Sequence, residues 1–255
     1  MVQTANRNKA ESALGELLSG NKRYQQGALQ KCVFNQQAFI SGKSGQAPPA
    51  IVLSCSDSRV PPEMVLDQGL GDIFVIRVAG NVLDNNVLAS MLYALTHLGS
   101  RLVIVMGHSK CGACNAAQGA YIQSQSGGGQ SKGVDPVSQL LAPIIDTCGH
   151  LARNAGNTGG DLKNSIPVEA IVEQNSIATA TSVFQALQQN LSGNEILGEI
   201  VVAAGKYDLD DGTVKVLKRW PAKAPRSALQ KNLPKLVLLG VGAIVIGVKA
   251  FKSIR

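Results

Sequence analysis

The sequence predicts an α/β fold, and three observations carry that prediction. Four apolar runs, at 51–54, 73–78, 102–107 and 200–204, have strand length and read as strands buried on both faces. Segments with helical periodicity lie between them. Two of the runs end abruptly in reactive polar residues, Cys55-Ser-Asp57-Ser-Arg59 and His108-Ser-Lys-Cys111. In open α/β sheets the functional groups sit just beyond the carboxyl ends of the strands.

Residues 8–29 carry Ala10, Leu14, Leu17, Leu18 and Tyr24 at near-helical spacing, so an amphipathic helix is expected, broken near Gly20 or Gly27. A second short helix is expected within 31–41. Neither can bury its apolar face alone; they pack on the sheet or reach across to a partner subunit. Gly42 to Pro49 is a turn region leading into the first strand. Pro61-Pro62-Glu63 suits the first turn of a short helix, where proline loses no hydrogen bond and an acid meets the positive helix end. Strand 73–78 ends in Arg77-Val-Ala79-Gly80-Asn81, where glycine permits unusual dihedrals or close backbone approach.

Residues 82–98 form a strong helical stripe that includes Tyr93 and His97, the latter read as a helix C-terminal histidine bonded locally. A helix is expected from Cys111 through Tyr121, followed by a flexible Gly/Ser loop at 124–133. Helical patterns recur at 134–148, where Pro143 should kink or split the helix, and at 161–191, with a break near Pro167. After strand 200–204, the turn-rich Asp208-Leu-Asp-Asp-Gly212 and the alternating Val214/Val216 predict an antiparallel edge strand at 214–217.

The chain of 255 residues is long enough to bury a real core, and 16% charged with 45% hydrophobic residues is not a disordered composition. Its net charge of +7 is local: nine of the 24 Lys and Arg and none of the 17 Asp and Glu lie beyond residue 217, leaving the body at −2. With only 4% aromatic residues and an acidic body, nucleic acid is not expected as a partner. Five irregularly spaced cysteines imply no disulfide framework and fit a reducing compartment. The N-terminus lacks the apolar run of a secretory signal.

If the strands at 51–54 and 102–107 are parallel neighbours, Cys55, His108 and Cys111 converge. Two thiolates and an imidazole suit zinc. Against this stands the ordinary use of cysteine as a small buried hydrophobe. A set that adds Cys114 is also geometrically allowed, but it would leave no open metal position.

The pair Cys55-Ser-Asp57-Ser-Arg59 and His108-Ser-Lys-Cys111-Gly-Ala resembles the signature of the beta-class carbonic anhydrases. The similarity runs from about residue 10 to 218 and includes Asp67-Gln-Gly-Leu-Gly-Asp72, Arg77-Val-Ala-Gly80-Asn81 and the helix around Tyr93. The resemblance implies a mostly parallel central sheet of four strands plus the antiparallel edge strand, flanked by helices, with an N-terminal helical arm. It implies one Zn²⁺ per subunit on Cys55, His108 and Cys111, and reversible hydration of carbon dioxide to bicarbonate and a proton.

Asp57 and Arg59 are then a pair beside the metal, and Gln46 matches the glutamine of the plant-like, open-site subtype. In the open form Arg59 holds Asp57 ionised and off the metal, Asp57 accepts a hydrogen bond that orients the attacking oxygen, and Gln46 donates to substrate. Phe74, Ala79, Gly80 and Tyr93 fall at substrate-pocket positions. Zinc balanced by two thiolates is formally neutral and a weaker Lewis acid than zinc on three histidines. A homodimer or higher homo-oligomer is implied, with Gln46 and Tyr93 serving a cleft at the interface. The same scaffold serves carbon disulfide and carbonyl sulfide hydrolases, and a non-catalytic, membrane-associated assembly subunit is the other rival; the intact Asp57 and Arg59 argue against the latter.

The expected organisation is a catalytic domain at 1–217, a basic linker at 218–235 and a hydrophobic C-terminal helix at 236–255. Residues 236–248 carry no charge, and 233–254 can span about 20 apolar positions if Lys235, Lys249 and Lys252 snorkel. The tail is read as a membrane attachment, with a helix docked on the body or on another subunit as the alternative. The expected location is the cytoplasm or the cytoplasmic side of a membrane.

Overall fold

A computed structural model describes residues 2–32, 36–43, 45–126, 135–156 and 166–220. The chain divides into the units Met1–Ala222 and Lys223–Arg255, and the sheet belongs to the first. It has five strands in the order β2-β1-β3-β4-β5: β1 (Ala50–Ser54), β2 (Ile73–Arg77), β3 (Leu102–His108), β4 (Val201–Tyr207) and β5 (Val214–Trp220). The β1–β2, β1–β3 and β3–β4 pairs are parallel, and β5 runs antiparallel to β4 along the edge. The chain leaves β1 towards one edge and returns to build the other, so the topological switch point lies between β1 and β3. The expected mostly parallel α/β architecture is therefore observed.

Alternation along the strands divides the core. Ala50, Val52, Leu102, Ile104, Met106, Val201 and Ala203 pack on one face with α1 (Val2–Gln25), α5 (Gly112–Gln125) and α6 (Pro136–Asn154). Ile51, Leu53, Val103, Val105, Val202 and Ala204 pack on the other with α4 (Asn85–His97) and the C-terminal part of α7 (Val168–Asn190). β1 and β3 are buried along their whole length, which explains their uninterrupted apolar runs.

Several elements depart from expectation for identifiable reasons. α1 runs unbroken through Gly20, because that glycine serves close approach: a Cβ there would stand 1.8 Å from the Leu66 carbonyl oxygen. Next to it, buried Asn21 donates to the Val65 and Gly212 carbonyls at 3.1 and 2.8 Å and accepts from the Val214 N–H at 2.8 Å. The arm is thus fastened to β5 and to the short α3 (Pro62–Val65). The second short helix is α2 (Gln36–Gly42), starting later than expected.

α4 begins at Asn85 because Asp84 caps it, accepting from the Val87 N–H at 2.7 Å; Val82 and Leu83 precede the helix. α6 continues through Pro143 to Asn154, so the expected split does not occur. Gln139, the residue four positions before the proline, is exposed, where water can satisfy its carbonyl. α7 begins directly after Pro167, consistent with a break there.

β4 extends to Tyr207, past the expected end at 204, because Lys206 tolerates a strand position by pairing with Glu169 at 2.7 Å and Glu173 at 3.3 Å. β5 likewise continues to Trp220, three residues beyond the expected domain end. Residues 127–133 of the Gly/Ser loop, residue 134, residues 161–165, positions 221–235 of the expected basic linker and the expected hydrophobic helix at 236–255 lie outside the described residues. Among the described residues, no helix is long and apolar enough to cross a membrane.

Candidate metal centre

The site is assembled at the switch point. Cys55 follows the last residue of β1, and His108 is the last residue of β3. A two-residue turn, with Lys110 at φ 55°, then sets Cys111 as the N-cap of α5. The sequence spacing His108-Ser-Lys-Cys111 is the length of that turn. All three ligand candidates are buried, and their ligating atoms lie within 4.8 Å of one another.

The orientation of His108 tests whether the cluster fits a metal. Its Nδ1 stands 2.9 Å from the Ser109 carbonyl oxygen, and a carbonyl only accepts, so the proton is on Nδ1. The Nε2 lone pair is therefore free, and this buried atom has no hydrogen-bond partner. Buried polar atoms are rarely left so, and the cost of desolvating one is about 1–3 kcal/mol. An imidazole lone pair converging with two sulfurs is a donor set that fits a borderline-soft dication, zinc above all.

Without a cation the thiols hold their protons. Cys55 is pushed up to about 12, first by its hydrogen bond with Cys111 and then by burial. Cys111 is pushed up to about 11, first by its hydrogen bond with Cys114. A divalent cation reverses that preference, since a metal-coordinated thiol is deprotonated. The Gly80 N–H donates to the Cys55 sulfur at 3.3 Å and works in the same direction. Cys114 is buried beside Cys111 but outside the convergent group, so among the described residues the cluster has three members and not four.

Asp57 and Arg59 stand at the cluster's edge. Arg59 grips the carboxylate at both oxygens, Nε to Oδ1 at 2.9 Å and Nη2 to Oδ2 at 2.7 Å, while its backbone N–H donates to Oδ1 at 3.0 Å. This pairing, with the guanidinium hydrogen bond as its largest component, holds the Asp57 carboxyl well below the usual carboxylate range. Asp57 Oδ2 is 3.8 Å from His108 Nε2, beside the cluster but drawn towards the arginine.

The other expected site residues are distributed differently. Phe74 is half-buried in β2 and packs towards the α4 face of the sheet. Ala79 and Gly80 form a 3-10 turn after β2. Gly80 is buried and meets Cys55 through its backbone. Gln46, in the loop before β1, is exposed. Tyr93 is 51% exposed on α4, its ring 5.1 Å from that of His97. His97 occupies the last helical turn, with that local contact.

One residue without an assigned role in the sequence reading proves central. Arg77, at the carboxyl end of β2, donates from Nε to the Cys55 carbonyl at 3.1 Å and from Nη2 to the Asp57 carbonyl at 2.5 Å. The signal was present: a cation ending an apolar strand obeys the same strand-end rule that drew attention to Cys55 and His108.

Comparison with known proteins agrees with this geometry. Residues 50–214 match the family model described as carbonic anhydrase. Carbonic anhydrase 2 of Mycobacterium tuberculosis is 34% identical over 196 residues, covering 77% of this chain and 87% of its own. Among solved structures, a Coccomyxa beta-carbonic anhydrase in complex with acetazolamide superposes with a TM-score of 0.59 at 23% identity, over 73% of this chain and 80% of that one. One of two tetrameric beta-carbonic anhydrases from Sordaria macrospora does so with a TM-score of 0.57 at 24% identity, over 73% and 89%.

Proposed function

The chain belongs to the carbonic anhydrase family and has the beta-class fold; from that premise we propose that it carries out the zinc-dependent, reversible hydration of carbon dioxide to bicarbonate and a proton. The observation that carries the reading is the unpartnered His108 Nε2 converging with the Cys55 and Cys111 sulfurs beside an arginine-held carboxylate. Cys55, His108 and Cys111 hold one zinc ion per subunit. The metal supplies a Lewis acid that brings the pKa of water towards neutrality.

The chain's own residues then divide the remaining work. Asp57, kept ionised by Arg59, stays a hydrogen-bond acceptor across the neutral range and orients the attacking water oxygen. Its depressed pKa makes it a poor proton carrier, so orientation is its task. Arg59 occupies both carboxylate oxygens and keeps Asp57 off the metal, which supports the open-site reading. Gln46 donates to a substrate or bicarbonate oxygen, and Phe74, Ala79, Gly80 and Tyr93 bound the apolar side of the pocket. Exposed Gln46 and Tyr93 act at an interface between subunits of a homo-oligomer; the tetrameric Sordaria relatives support assembly.

The reading is tested by assaying the purified full-length protein on carbon dioxide, carbon disulfide and carbonyl sulfide alongside its zinc content. Carbon dioxide hydration with about one zinc per chain is expected; negligible hydration with zinc bound overturns it. Beyond the catalytic domain, a basic linker leads to a hydrophobic segment at 236–255 that attaches the enzyme to a membrane from its cytoplasmic side. The uncharged run at 236–248 and the flanking Lys and Arg support this. Membrane partitioning of the full chain should exceed that of a chain ending at Trp220, and equal partitioning refutes anchoring.

A further inference from the structure

Asn175 reaches the Ala79–Asn81 turn beside Cys55 from α7 and has no part in the chemistry above. It is buried, at 1% exposure, and its Nδ2 donates to the Gly80 carbonyl at 2.8 Å. Asparagine is a poor residue for a helix interior, and burying an amide costs free energy unless it is bonded. Its position, between buried Ile171, Val172, Ser176 and Thr179 of the same helix, therefore calls for a specific partner. Gly80 is that partner.

Gly80 is held at three points. Its N–H donates to the Cys55 sulfur at 3.3 Å. Its backbone lies at φ 69°, ψ 14°, a left-handed conformation that suits glycine. Its α-carbon abuts Ile144 and Ala113 so closely that a Cβ would lie 2.6 Å from Ile144 Cδ1 and 3.2 Å from Ala113 Cβ. Packing therefore fixes where Gly80 sits, while Asn175 fixes the plane of the peptide that follows it. The two dihedrals between that peptide and the Gly80 N–H set the direction in which the N–H points.

We infer that Asn175 is a positioning residue that, through Gly80, aims a backbone N–H at the Cys55 sulfur and so sets how strongly that thiolate donates to the metal. The inference rests on the reading of Cys55, His108 and Cys111 as zinc ligands. An N–H directed at a coordinated thiolate withdraws electron density from sulfur and lowers its basicity. In a centre with two thiolates, whose ligand charge already cancels that of the dication, this restores part of the metal's Lewis acidity. Partners beyond the ligands themselves tune metal sites in this way, and their loss typically costs about 10–100-fold in affinity or activity.

The test uses full-length protein in which cobalt(II) replaces zinc, compared with Asn175→Leu, which keeps the volume and removes the donor. Asn175→Ala serves should the leucine variant not fold. Val183→Ala, in the core between α7 and the sheet, controls for lost stability because Val183 is fully buried away from the ligands. In the Asn175 variant the thiolate-to-cobalt charge-transfer band should move to longer wavelength. The rising limb of the hydration pH profile should move to higher pH. Val183→Ala, at a matched loss of thermal stability, should leave band and limb in place. An unchanged band in the Asn175 variant, or an equal shift in Val183→Ala, overturns the inference and leaves the metal centre standing. Absence of thiolate-to-cobalt absorption in the unmodified protein overturns the metal centre and the inference together.

Discussion

Arg77 holds Asp57 by its backbone, its Nη2 donating to the Asp57 carbonyl at 2.5 Å while its Nε takes the Cys55 carbonyl at 3.1 Å. One planar guanidinium thus fixes the spacing between Cys55 and Asp57. Lysine offers a point charge and cannot occupy both carbonyls with that geometry. Arg77→Lys should lower kcat or zinc affinity by about 10–100-fold while leaving secondary structure intact. Parallel measurement of kcat, zinc content and circular dichroism checks this; a variant with unchanged kcat and zinc removes the clamp from the mechanism.

In the proposed mechanism Asp57 acts through its charge and its place, not through a proton. Replacing it by alanine should cost at least about 100-fold in hydration, the scale of losing orientation at a reacting centre. Zinc should remain near one per chain, because no ligand is touched. Depressed zinc in Asp57→Ala would mean that the carboxylate holds the metal, contrary to a purely orienting role. Hydration at the level of the unmodified enzyme would remove Asp57 from the chemistry.

Cys114 separates a three-ligand from a four-ligand centre. It bonds Cys111 yet lies outside the convergent group. Cys114→Ser should keep its zinc through dialysis, with hydration within about fivefold of the parent, as one hydrogen bond of about 1 kcal/mol is altered. Cys111→Ser should lose zinc. Metal analysis of the two variants decides, and zinc loss from Cys114→Ser would make it a ligand.

The sheet and the convergence of Cys55, His108 and Cys111 were legible because both follow from strong local signals. β1 and β3 are buried on both faces and must be apolar throughout, so the polar residues that end them stand out. What escaped depends on contacts distant in sequence. Gly20 looked like a helix breaker because its reason, the Leu66 carbonyl, lies 46 positions away. Asn175 looked like any polar helical residue because its partner Gly80 is 95 positions away. The end of β4 was hidden by Lys206, whose charge is neutralised by two glutamates on α7. The surface positions of Gln46 and Tyr93 carry no local pattern at all.

Asp67 offers a stability test independent of catalysis. Its carboxylate is fully buried and takes the Arg23 guanidinium at 2.5 Å together with the backbone N–H groups of Gln30, Lys31 and Cys32. Burial alone would raise its pKa; the Cys32 N–H, Arg23 and the other two N–H groups outweigh that, and the carboxyl lies well below its ordinary range. A group depressed in the folded state adds stability that is fully present above the unfolded value of about 3.9 and disappears as pH falls towards the folded one. Asp67→Asn keeps the shape but gives up the charge, and at pH 7 should cost about 2–4 kcal/mol in urea unfolding. The gap between parent and variant should narrow as pH drops from about 4 towards 2, because Asp67 of the unfolded parent then takes up a proton that the folded carboxylate still refuses. Parallel stability curves across that window would show that the charge of Asp67 contributes nothing, and that its hydrogen-bonding shape alone ties residues 30–32 to the turn after α3.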